Sequence, residues 1–114
     1  MSPTSPVPGE LARLHVINLG GAARDVVASV DKVLAAGAPL LVQVRAKEGT
    51  DRARFHLAGE VVRRCHAAGV RCLVNDRADI AAAVGADGVH LGEHDLPVPA
   101  VRALLGAGAV VGAT

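Results

Sequence analysis

Short β-branched runs that recur between alanine-rich stretches of helical length constrain this chain most, because that alternation is the pattern of parallel βα units. Runs centred on Leu14 to Asn18, Leu40 to Arg45, Arg71 to Asn75, Gly88 to Leu91 and Ala109 to Gly112 are the expected strands. The segments between them, roughly Ala22 to Ala36, Asp51 to Ala68, Arg77 to Val84 and Pro97 to Leu105, are the expected helices. Gly37, Gly69, Gly85 and Gly106 each follow a helical stretch, where a residue with positive φ ends a helix at little cost. Asp51 is placed to cap the second helix, and Pro97 falls in the first turn of the fourth. Leu40, Leu41, Val42 and Val44 form a nearly continuous apolar run, as in a strand covered on both faces. A parallel α/β sheet is the expected architecture.

Of the 114 residues, 22 are alanine, so the larger apolar side chains suffice for one small domain. Pro3, Pro6 and Pro8 exclude regular structure near the start, and residues 1 to about 10 read as a disordered leader ahead of a domain over 11–114. Twelve basic and eleven acidic residues leave a net charge of +1, without the cationic surface that nucleic acid or an anionic membrane requires. One Phe, no Tyr and no Trp leave no platform for stacking bases. There is no secretory pattern and no bilayer-spanning apolar stretch. Cys65 and Cys72 form neither a disulfide framework nor a metal finger, which fits a reducing cytoplasm.

Polar residues interrupt the apolar strands at particular places. Gln43, Arg45 and Lys47 alternate along the second strand and so share one face. They read either as a strand leaving the core or as a cationic, amide-bearing wall. Asn75-Asp76-Arg77 and His90-Leu91-Gly92-Glu93-His94-Asp95 lie just past the carboxyl ends of the third and fourth strands, the edge where α/β sheets bind ligands. Asp76 with Asp79 resembles a capping pair, and Asp95 precedes Leu96-Pro97 as an N-cap would. Together, Asp76 and Asp95 are two carboxylates on one rim beside Arg45 and Lys47, a set suited to a hard divalent cation shared with substrate phosphates. His15, His56 and His66 read as surface or core histidines, while His90 and His94 either line the site or serve the fold. Gly20-Gly21 reads first as a turn. No Ser-His-Asp or Cys-His order supports nucleophilic catalysis.

The segments VQVRAK, LVNDRADIAAAVGADGVHLGEHDLP and VGAT resemble successive segments of the thiamine phosphate synthase family, from about Pro39 to Thr114. HVINLGG in the first strand fits the family loosely. The resemblance implies a truncated (β/α)8 TIM barrel and a transferase of thiamine biosynthesis. That enzyme joins hydroxymethylpyrimidine diphosphate to hydroxyethylthiazole phosphate with Mg2+, giving thiamine monophosphate and pyrophosphate. It further implies that Gln43, Arg45, Lys47 and Asn75 bind the pyrimidine diphosphate, with Arg45 and Lys47 acting on the leaving group, and that Asp76 and Asp95 hold the metal. Thr114 stands where the family has a serine that touches substrate, and Ala46 where it commonly has Glu. The thiazole tautomerases share the fold without the metal pair, so Asp76 with Asp95 favours the synthase.

A TIM barrel needs about 200 residues or more, and five strands leave the sheet unclosed with two free edges. Such a chain is expected to pair with a second copy, dock on a complementing second half, open into a doubly wound sheet with helices on both faces, or be a truncated product. Its partners are otherwise small-molecule substrates. The alternative to an enzyme portion is a non-catalytic half-barrel that binds phosphate or serves assembly.

Overall fold

The computed structural model describes residues 14–17, 22–37, 40–46 and 49–114. The proposed leader, Gly20-Gly21 and Lys47 lie outside the described residues. The element order is β1 (Leu14–Ile17), α1 (Ala23–Ala35), β2 (Leu40–Val44), α2 (Asp51–Ala67), β3 (Arg71–Asn75), α3 (Ala78–Val84), β4 (Gly88–Leu91), α4 (Val98–Leu105) and β5 (Val110–Ala113).

Local chemistry explains where these elements stop. Gly37, Gly69 and Gly85 have φ of 71°, 72° and 71°, and Gly106 has φ of 93°, all sterically costly for a side-chain-bearing residue. The cap of α2 differs from expectation. Thr50 Oγ1 accepts from the Ala53 N–H at 3.0 Å, because Thr50 keeps the extended backbone an N-cap needs while Asp51 is already helical. Pro97 likewise stands at the N-cap of α4, one residue before the helix, with extended ψ of 150°.

The sheet is wholly parallel with strand order β1-β2-β3-β4-β5. Each strand pairs with its successor in sequence, and right-handed crossovers then carry every helix to the same side. One apolar cluster accordingly joins Leu40, Val42, Val44, Cys72, Val74, Val89 and Leu91 of the strands to buried residues of all four helices. A doubly wound sheet needs a reversal of strand order, and this order contains none, so that expectation is corrected: the five strands follow the winding of a barrel.

Period two sends the alternate residues to the concave face opposite the helices. Leu41, Gln43 and Leu73 on that face are buried. On this face Leu41 lies between His15 and Arg71 in one row, and Gln43 pairs with Leu73 in the next, nearer the carboxyl ends.

A polar rim at the carboxyl ends of the strands

Gln43 is 2% exposed and is the buried polar side chain among the described residues. Its Oε1 accepts from Asn75 Nδ2 at 2.9 Å, and its Nε2 lies 3.1 Å from His15 Nε2. Three strands are thereby tied across the concave face. Further along it, His90 Nε2 lies 2.8 Å from Thr114 Oγ1, and the His15 and His90 rings meet edge to face with centroids 6.2 Å apart. Gly112 makes room for this: a Cβ there would stand 2.5 Å from His90 Nδ1. Burial, then the neighbouring His90, holds the His15 imidazole below its ordinary pKa.

The two carboxylates singled out from the sequence converge. A Cβ placed on Gly92 would lie 3.1 Å from Asp95 Oδ2 and 3.7 Å from Asp76 Oδ1, so Gly92 is the small residue between them. Asp95 does not cap α4, which corrects that alternative for this residue. The N-cap positions of α3 and α4 are Arg77 and Pro97, and neither side chain makes a capping bond. Asp95 instead turns back to accept the Gly92 N–H at 2.6 Å. Asp76 has a left-handed backbone, φ +64°, and donates its N–H to the His90 carbonyl at 2.8 Å, joining the ends of β3 and β4. A non-glycine residue kept in that region marks a place where surroundings override local preference.

Among the described residues, no group of three or more His, Cys, Asp or Glu side chains is arranged to hold a metal. Two carboxylates with hard oxygen donors fit Mg2+, which is commonly held by one or two protein carboxylates and completes its shell with water and substrate phosphates.

The rest of the rim divides. Arg45 follows the last residue of β2 and is half-buried, at the strand-end position expected of it. Ala46 lines a small cavity with Asn75, Arg54 and Arg77. Arg77 is engaged elsewhere: its guanidinium donates to Asp79 at 3.0 and 2.8 Å and to Asp51 at 2.8 Å. Those bonds raise the Arg77 pKa and hold Asp79 and Asp51 below the usual carboxylate range. His94 is exposed beside Glu93, and His66 pairs with Asp87 at 2.8 Å, at the opposite end of the strands. Sequence reasoning passed over His15, whose only signal was a polar residue at the concave-facing register of β1.

Residues 14–114 match the family model of thiamine monophosphate synthase. The chain belongs to that family. The match takes in β1, which sequence reading alone tied to the family only loosely. The thiamine-phosphate synthase of Salinispora arenicola is 51% identical over 106 residues, covering 91% of this chain and 51% of that protein. That of Salinispora tropica is 47% identical over the same length, with the same coverage. A solved structure of thiamine phosphate pyrophosphorylase from Pyrococcus furiosus superimposes with a TM-score of 0.76 at 30% identity, over 90% of this chain and 49% of that one. The chain thus spans about half the length of the family members it matches.

Proposed function

We propose that this chain is the pyrimidine-diphosphate half of a thiamine phosphate synthase, with Mg2+ as its metal. The observation that carries the reading is the convergence of Asp76 Oδ1 and Asp95 Oδ2 over Gly92, on the strand-end rim that also bears Arg45, Asn75 and Thr114. In this reading Gln43 and Asn75 orient the pyrimidine, Asp76 and Asp95 hold the metal, and Thr114 offers its hydroxyl to substrate.

In the reaction, the bond between the pyrimidine methylene and the diphosphate oxygen breaks, its electron pair leaving with pyrophosphate, while the thiazole nitrogen supplies the pair for the new carbon–nitrogen bond. No protein nucleophile is needed. Negative charge grows on the departing diphosphate, and Arg45 and Lys47 stabilise that charge more in the transition state than in the ground state. Held by Asp76 and Asp95, Mg2+ would supply further neutralisation of that charge. Gln43, fixed from both sides by Asn75 and His15, holds its amide in a set orientation, and such positioning is a large share of catalysis between two bound substrates.

No helix among the described residues is long and apolar enough to cross a membrane. Cys65 and Cys72 are free, buried thiols, which supports a cytoplasmic location. Because the chain spans about half the length of its relatives, the thiazole phosphate is assigned to residues outside these 114. Titration calorimetry with pyrophosphate, with and without Mg2+, tests the reading. Metal-dependent heat that disappears in Asp95→Asn is expected. No metal-dependent heat at millimolar ligand would contradict it and leave a non-catalytic half-barrel.

A further inference from the structure

A line of side-chain hydrogen bonds crosses the concave face from β3 to β1. Asn75 Nδ2 donates to Gln43 Oε1, and Gln43 Nε2 donates to His15 Nε2. An imidazole nitrogen accepts only when it carries no proton, so this polarity requires a neutral His15 with its hydrogen on Nδ1. Each amide in the line has one oxygen end and one nitrogen end. Its direction is therefore set from the His15 terminus.

We propose that His15 is a positioning residue for the rim: protonating it reverses the amide line, turns Gln43 over, and exchanges the Asn75 atom left at the strand ends from Oδ1 to Nδ2. With a proton on His15 Nε2, two donors would face each other across the 3.1 Å contact. Gln43 is too buried to relieve this by turning to solvent, and an unpaired buried donor costs its full desolvation. Rotating the Gln43 amide restores the bond to His15 but sets Gln43 Nε2 against Asn75 Nδ2, which Asn75 relieves by rotating in turn. The movement ends at the residue proposed to meet the pyrimidine diphosphate.

Among the described residues, the groups on the His15 face of the sheet are the neutral amide of Gln43 and, two residues further along β2, Arg45; Arg71 of β3, which pairs with Leu41 in the row of His15; and His90 of β4. The helices pack on the other face of the sheet. Burial and His90 both favour the neutral ring, so the described polarity holds at neutral pH and reversal belongs to mild acid.

The meaning of the reversal for ligand binding rests on the proposed function, whereas the coupling itself does not, and the test separates them. In the isotopically labelled 114-residue chain, histidine-ring 15N resonances and the Asn75 side-chain amide are followed by NMR from about pH 8 to about pH 5. The expected result is a His15 ring protonated on Nδ1 at the upper end, and an Asn75 amide that moves with the His15 midpoint. The co-titration persists in His90→Asn and is lost in Gln43→Leu, with Gln43→Met as the second bridge-breaking variant. A His15 proton on Nε2, or an Asn75 amide that stays still or follows His90 instead, overturns the proposal. Both decisive signals are read in the wild-type chain, so misfolding of a variant does not affect them. Co-titration without Mg2+-dependent pyrophosphate heat would sink the synthase reading alone, and that heat without co-titration would sink this inference alone.

Discussion

Asp76 is the non-glycine residue with positive φ among the described residues, and that single dihedral separates two accounts of its carboxylate. Asn tolerates the left-handed region about as well as Asp, whereas a residue with an inert Cβ pays about 1 kcal/mol or more there. Asp76→Asn is therefore expected to keep the urea midpoint of the wild type, and Asp76→Ala to lose about 1 kcal/mol. Both should lose Mg2+-dependent pyrophosphate binding. An Asp76→Asn variant that binds like the wild type would return Asp76 to a purely structural role. Asp76 and Asp95 were visible as candidates because the strand-end positions were readable from the pattern. That Asp95 does not cap α4 was not, since an aspartate ahead of a helix looks the same in sequence whether it bonds the helix or turns back, as Asp95 does to Gly92.

At the scale of elements, α2 and α3 meet at their N-termini through Arg77, which joins Asp51 of one to Asp79 of the other. Both carboxyls have depressed folded-state pKa values. Their contribution to stability is present above the ordinary carboxylate pKa and is lost as pH falls through the lowered values. The dependence of stability on pH below about pH 4 is accordingly expected to flatten in Arg77→Met, and an unchanged acid limb would contradict the link. The cap of α2 gives a second check: Thr50→Ala should cost about 1 kcal/mol in urea unfolding, whereas a null effect would restore Asp51 as the cap.

Strand and helix limits were legible to within about one residue, because glycines with obligatory positive φ and apolar runs of strand length bracket each element. Thr50 was missed because Thr50 and Asp51 are both good capping types in adjacent places, and only the backbone dihedral distinguishes them. The line from Asn75 through Gln43 to His15 was also illegible. It depends on β1–β2 and β2–β3 register, and parallel register is fixed by crossovers rather than by any local signal.

The whole molecule is a singly wound five-stranded sheet with helices on one face, so β1 and β5 each have one partner strand among the described residues. Its fold neighbours are about twice as long. In the proposed function the concave face carries the diphosphate site, and the thiazole phosphate falls to residues outside these 114. The isolated 114-residue chain is therefore expected to give little or no thiamine monophosphate in a discontinuous assay, and turnover at a rate typical of the family would contradict that division. The most direct test is titration of the chain with hydroxymethylpyrimidine diphosphate in the presence and absence of Mg2+, alongside Arg45→Ala and Asp95→Asn. Binding that requires the metal and weakens at least about tenfold in each variant, about 1.4 kcal/mol, is the predicted result. Binding that ignores both the metal and the variants, or no binding, would contradict the assignment of the rim as a pyrimidine-diphosphate site.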